Sequence, residues 1–275
     1  AVGYQTQQNG VGGEYNSLLG YRAGRELTSA GFNVAIGSYA LDANTTADNN
    51  TAVGAYALTE NTTGEFNTSI GFESMLTNTT GDRNVAVGFK ALKTMNVTDG
   101  SHTFNTAVGF AAGELTTTGT DNTFVGANAG NAATTASGCT LVGKSAGTAI
   151  TTGGDNTGIG KQALENTTTG TSNTAVGKDA LEANTTASNN TAVGYEALTA
   201  NTTGTSNTAV GKNALKANTT GNYSVAVGEL ALQANTTGQN VAIGQAAMIA
   251  NTTGTGNVAI GCLLYTSDAA DEEDS

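Results

Sequence analysis

Proline and tryptophan are absent from the 275 residues, and histidine occurs once, as His102. A collagen-type triple helix is excluded, because it needs Gly at every third position and abundant proline. A single imidazole leaves little material for acid–base or metal chemistry, and no metal or cofactor is expected. Aromatics make up only 5% of the chain and charged residues 12%, so an interior of ordinary globular type would be thin. No apolar run approaches the ~20 residues of a transmembrane helix, so membrane insertion by this segment is not expected. Ten Lys and Arg face 22 Asp and Glu, a net charge of −12, which disfavours nucleic acid as a partner.

What the chain does have is glycine, 38 residues of it, in a regular array. An aliphatic residue followed by glycine recurs at Gly3, Gly20, Gly37, Gly54, Gly71, Gly88, Gly109, Gly126, Gly143, Gly160, Gly177, Gly194, Gly211, Gly228, Gly244 and Gly261. Thirteen of the fifteen intervals are 17 residues; Gly88 to Gly109 is 21 and Gly228 to Gly244 is 16. The unit reads Asn-Thr-Ala-Val-Gly-x-x-Ala-Leu-x-x-Asn-Thr-Thr-Gly-x-x, with residues 190–206 close to a perfect copy. Its first half alternates with period two and predicts a short strand closed by a corner glycine. A second short segment, x-x-Ala-Leu, ends at an Asn-Thr-Thr-Gly turn. Such a period is too short for ankyrin, tetratricopeptide or propeller units. Two short strands and two corners per unit predict an all-β parallel β-solenoid of 15–16 coils over residues 1–261, with an insertion at 93–104. At the strand spacing of ~4.8 Å the stack is a rod roughly 75 Å long.

Stacked coils turn each sequence position into a column. The Val/Ile column before the glycine and the Thr/Val column two residues earlier are expected to point inward. The leucines Leu41, Leu58, Leu92, Leu164, Leu181, Leu198, Leu215 and Leu232 are expected to close the core from the other side. Four coils carry glycine in that slot, at Gly24, Gly113, Gly130 and Gly147, and Leu27, Leu115 and Ile150 are read as replacements. The coil of Gly130 offers only Ala132 and Ala133, which predicts a weak core there. The alanine column (Ala35, Ala52, Ala86, Ala107, Ala175, Ala192, Ala209) is then outward, a surface suited to close approach of other chains in a homotrimer. Asn precedes the strand in thirteen of fifteen copies, Cys139 and Ser224 being the exceptions, and predicts an amide ladder.

The chain opens on the last residues of a unit and breaks off after Asn257-Val258-Ala259-Ile260-Gly261 without a cap, which reads as a window cut from a longer protein. Residues 262–275 are read as a non-native tail, since CLLYTSDAADE (262–272) looks like the in-frame translation of a sequencing adapter. Cys139 and Cys262 fall about seven coils apart, roughly 34 Å at the strand spacing, beyond disulfide reach.

The Asn-Thr-Ala-Val-Gly and Asn-Val-Ala-Ile-Gly strands, with Ser224-Val225-Ala226-Val227-Gly228, resemble head repeats of YadA-like trimeric autotransporter adhesins. That resemblance implies a left-handed parallel β-roll made by three chains together. The extra segment, such as Tyr195–Gly204, looks more like phage tail-fibre repeats of the same β-roll type. The implied location is extracellular, on a virion tail fibre or a bacterial outer surface. The implied partners are further copies of the chain and a host cell-surface polymer or receptor.

No catalytic constellation is present, and no enzyme is expected. His102 lies in the insertion near Asp99, Ser101 and Thr103, but adjacency in a loop does not make a triad. The insertion is read as a protruding surface loop. Asp48, Asp82, Asp121 and Asp155 sit in corners without the spacing of calcium-binding repeats. The residue after the glycine is aromatic at Tyr4, Tyr21, Phe72, Phe89, Phe110 and Tyr195, and Lys at Lys144, Lys161, Lys178 and Lys212. These six aromatics and His102 are the candidate surface-contact residues, with cross-coil packing as the alternative reading of the aromatics. The Asn-x-Thr runs match glycosylation acceptors but read better as turns. The leading functional expectation is a structural, adhesive rod segment of a surface fibre. The alternatives are an ice-binding solenoid that uses the Thr-Thr array and a polysaccharide-degrading tailspike.

Overall fold

The computed structural model describes residues 1–8, 13–98 and 102–264. Fifteen three-residue strands, from Ser17–Leu19 to Val258–Ile260, bound fourteen turns of a parallel β-solenoid, with no helix among the described residues. The chain divides into two compact units, Ala1–Thr140 and Leu141–Ser275. In the first unit each strand pairs in parallel with the next at the repeat register, as in Thr51↔Thr68 and Val87↔Val108. In the second the register is the same, as in Thr174↔Thr191 and Ile243↔Ile260. The 21-residue interval keeps that register, because Ala86 still pairs with Ala107.

The period-two alternation is present, but its phase is the reverse of the expected one. Every strand buries its middle residue: Ala35, Ala52, Ala86, Ala107, Ala175, Ala192 and Ala209 are all fully buried. The flanking Thr and Val/Ile columns face outward, and Ile36, Ile70, Val108, Ile159, Val210 and Ile243 are exposed. The reason is the width of the coil. The leucine column is fully buried, as expected, and Met75 and Met248 join it. Its side chains fill the interior so far that only a methyl group fits opposite.

Three irregular coils show this volume rule directly. In three of the four coils whose leucine slot holds glycine, the middle of the strand becomes large: Leu18 with Gly24, Phe124 with Gly130, Leu141 with Gly147. The fourth, Gly113, keeps Ala107, and the Phe124 ring of the next coil fills the space, 2.7 Å from where a Cβ on Gly113 would lie. A Cβ on Gly130 would lie 2.6 Å from Phe124 Cδ1, and one on Gly147 would lie 2.6 Å from Leu141 Cδ1. Gly158 makes room for the same Leu141, 3.0 Å from Cδ2. Total core volume is conserved while the residue that supplies it moves across the interior. The coil of Gly130 is therefore filled by Phe124 instead of being weak. Leu27 and Ile150 are buried as expected, whereas Leu115 is exposed and Thr116 takes the equivalent place.

The segment after the corner glycine is a run of turns rather than a second strand. Its backbone alternates in hand: Tyr56 and Leu58 have φ of 60° and 52°, and the pattern recurs at Glu196 and Leu198. Tyr56 N–H donates to Ser38 O in the preceding coil and Leu58 N–H to Ser74 O in the following one. The two left-handed residues thus serve opposite neighbours, while the N–H of Ala57 between them donates back to Gly54 O within the coil. Among the described residues, none of the non-glycine residues with positive φ is Val, Ile or Thr. A branched Cβ clashes with its own backbone in the left-handed region, which is why the core slot uses leucine and methionine.

Two buried asparagine columns fix the other corner. Asn67 N–H donates to Asn50 Oδ1 at 3.0 Å, and Asn84 N–H to Asn67 Oδ1 at 3.0 Å. Asn50 Nδ2 and Asn61 Nδ2 both donate to Gly64 O, each at 2.9 Å. The ladder therefore runs through backbone groups as well as between amides, and it closes carbonyls that the turn would otherwise bury unpaired. Cys139 takes an Asn position, its N–H donating to Asn122 Oδ1 at 2.9 Å. The Asn-x-Thr asparagines Asn44, Asn61 and Asn201 are fully buried, so they are turn residues and not accessible acceptors.

Met95 and Thr103 are fully buried and Asn96 N–H donates to Thr117 O, so both ends of the 93–104 insertion stay within the coil. At the far end, Leu263 N–H donates to Gln245 O and Met248 N–H to Leu264 O, and residues 265–275 of the tail lie outside the described residues.

Two substitutions test this architecture. Gly194 has φ +140°, and an added Cβ would lie 2.5 Å from Gly211 O in the next coil. Gly194→Ala is expected to destabilise by about 2–5 kcal/mol through backbone strain and overpacking, read as a lowered thermal midpoint by circular dichroism. Leu198→Met is expected to cost less than ~1.5 kcal/mol. Leu198→Ile, with the same atoms branched at Cβ, should fall about 2 kcal/mol below it in denaturant unfolding.

Candidate functional site

Because the interior columns are filled, mostly by Ala, Leu and Asn, recognition is left to the outward columns. The first is the sheet face itself, with Thr or Val at the first strand position and Val or Ile at the third, except for Ser17 and Leu19 in the first strand. The second lies just past the corner glycine. In the first unit it is an unbroken ladder of rings: Tyr4, Tyr21, Tyr39, Tyr56, Phe72, Phe89 and Phe110. Successive centroids are 5.8, 5.3, 5.0, 6.0, 5.6 and 5.1 Å apart.

Sequence reading identified five of these seven rings and missed Tyr39 and Tyr56. They sit one position later, in coils whose post-glycine residue is Ser38 or Ala55. The signal was available, since an aromatic appears there only where the earlier position lacks one. Four of the six ring contacts are stacked, with interplanar angles of 5–14°. Rings that cover one another's faces present edges to solvent, so the ladder is first a packing device worth ~0.5–1.5 kcal/mol per pair. Tyr195 stands apart in the second unit. Lys178 Nζ lies 5.1 Å over its ring, and the hydrogen bond to Glu196 pushes its phenol pKa up.

The lysines that take over this column in the second unit are partly paired. Lys178 Nζ is 2.6 Å from Asp179 Oδ2, and Lys212 Nζ is 3.3 Å from Glu229 Oε1. Lys216 pairs with Glu196 and holds its carboxyl below the usual range. Glu182 goes the other way: burial pushes its pKa up, and the nearby Asp179 and Glu165 carboxylates add to the shift.

His102 is brought to Asp82 and Arg83, with Nδ1 3.1 Å from Asp82 Oδ2. Thr103 Oγ1 turns inward to Asp82 O at 3.0 Å and Asn84 Oδ1 at 2.7 Å, so that hydroxyl is not presented to the imidazole. Asp99 and Ser101 lie outside the described residues. Among the described residues no group of three or more His, Cys, Asp or Glu could hold a metal ion. The corner aspartates instead brace neighbouring turns, as Asp48 Oδ1 accepts from Gly31 N–H at 2.6 Å and Asp82 Oδ1 from Glu65 N–H at 2.7 Å. The Asn-Thr-Thr-Gly hydroxyls are also engaged, as Thr62 Oγ1 donates to Thr79 O at 3.1 Å and Thr202 Oγ1 to Thr219 O at 3.0 Å.

A comparison with known protein families, with curated proteins and with solved structures finds no match to this chain.

The Glu182 environment yields a pH test. A carboxyl whose folded pKa is raised binds protons more readily in the native state than in the unfolded one, so its ionisation opposes folding. Glu182→Gln is expected to raise the thermal midpoint at pH 7. The gain should shrink as pH falls through the folded pKa, and scanning calorimetry at neutral and acid pH reads it directly.

Proposed function

We propose that this chain is a structural, adhesive repeat segment of an extracellular fibre, on a phage tail or a bacterial surface, and that three copies associate side by side. One observation carries the reading: the third residue of every strand is an outward Val, Ile or Leu. Ile36, Ile159 and Ile243 are 39%, 41% and 38% exposed. A free surface strand has no reason to place an aliphatic there without interruption, and continuous exposed apolar strips mark interfaces. The alanine column is internal, so the contact between copies uses Val and Ile instead. A surface repeated at every coil suits lengthwise association better than one localised reaction centre. The resemblance of Asn-Thr-Ala-Val-Gly to trimeric adhesin and tail-fibre repeats supports the same reading. The ice-binding alternative has less support, because the turn hydroxyls already donate to the neighbouring coil.

Sedimentation equilibrium of the full chain is expected to give a trimer. Val176→Lys, Val193→Lys and Val210→Lys together should give a folded monomer by the same measurement. Fluorescently labelled trimer should attach to the surface of the host cells, and the triple variant should not. A monomeric wild-type chain that attaches to no cell would reject the proposal.

A further inference from the structure

The second unit contains an open cleft of about 430 Å³, lined by Thr220, Asn222, Tyr223, Thr237, Gln239 and Thr255, with Gly221, Thr236 and Gly238. It lies where the repeat is one residue short. The corner that elsewhere reads Gly-x-x-Asn, as in Gly204-Thr205-Ser206-Asn207, here reads Gly238-Gln239-Asn240.

The deletion breaks a ladder that is otherwise regular. In preceding coils the turn threonine donates twice to its copy: Thr185 N–H and Oγ1 both reach Thr202 O at 3.1 Å, and Thr202 N–H and Oγ1 reach Thr219 O at 2.8 and 3.0 Å. The rung resumes from Thr236 to Thr252 O at 2.9 and 3.0 Å. Between Thr219 and Thr236 it is missing, and among the described residues neither the N–H nor the hydroxyl of Thr219 has a protein partner. A second rung is lost beside it. Thr205 N–H donates to the Asn222 side chain at 2.6 Å, but the residue that would do the same for Asn222 N–H is the one deleted.

The shortened corner therefore sets Asn222 and Gln239 beside Tyr223, which is 63% exposed. Unlike the ladder rings, Tyr223 has no aromatic neighbour among the described residues, so its face is open. Every lining side chain is uncharged. A volume in the range of small-ligand sites, one open aromatic face and neutral hydroxyl and amide groups together define a chemistry. The ligand has an apolar C–H face, several hydroxyls and no charge.

We propose that this cleft is a carbohydrate-binding site that takes a neutral pyranose unit, stacked on Tyr223 and hydrogen-bonded by the Asn222 and Gln239 amides and the threonine hydroxyls of the lining. The proposal deepens the adhesive reading and rests on it for its biological target, while the binding itself is testable alone. The deciding variant inserts a Thr between Gly238 and Gln239, which restores the full-length coil and closes the cleft without removing a lining side chain. Titration calorimetry of the full chain with neutral gluco-, galacto- and manno-configured oligosaccharides should give at least one Kd of about 1 mM or tighter. Tyr223→Ala should weaken it about tenfold or more, and the insertion should abolish it while circular dichroism shows the solenoid retained. Absence of binding to every such oligosaccharide, or binding that survives the insertion, would overturn the proposal. Cell attachment by a chain that binds none of these sugars would sink the site and leave the adhesive reading. Sugar binding at the cleft without cell attachment would do the reverse.

Discussion

Backbone hydrogen bonding between successive coils dictates everything else in this protein. Each coil passes its N–H and C=O groups to the coil before and after it, so position in the repeat decides environment. At the corner glycines the backbones approach so closely that no Cβ fits. The coil cannot widen there, and its narrowness decides which side chains occupy the interior. Alanine opposite leucine is what a thin parallel solenoid can close around, and glycine opposite leucine or phenylalanine is the same volume in another arrangement.

Handedness of the backbone adds a second rule. Alternating positive and negative φ after the glycine lets one short segment serve both neighbours with hydrogen bonds. It also sorts the amino acids. Valine and threonine are abundant in the strands, and threonine in the Asn-Thr-Thr-Gly turns, yet among the described residues none occupies a left-handed position. The sequence thus encodes local backbone hand by the placement of Cβ branching as well as by glycine. That explains why the core slot, which one would fill with any aliphatic, holds leucine or methionine.

Much of this was legible in the residues. The glycine period, the leucine column and the asparagine ladder follow from spacing and from what those residue types do at corners. The phase of the strand was not legible from hydrophobicity. Period-two alternation defines two faces without saying which is inner, and valine and isoleucine look more interior than alanine. The decisive signal was covariation within single coils: Leu18 with Gly24, Phe124 with Gly130, Leu141 with Gly147. A residue that grows when the leucine slot empties must face that slot. The aromatic column was half legible, because a ring can reach the ladder from either of two adjacent positions. The cleft was visible only as a shortened interval, since its chemistry depends on which rungs the missing residue breaks.

The irregular coils have a consequence for how the chain finds its partner strands. Near-identical coils offer many almost equivalent pairings, and a strand that skipped one neighbour would still satisfy most of its backbone. A coil that pairs Phe124 with Gly130 fits poorly against a shifted neighbour, because the ring would then confront a leucine. Such coils act as keys in an otherwise interchangeable stack. They penalise slipped alignments during folding, much as an irregular tooth makes a ratchet seat in a single place.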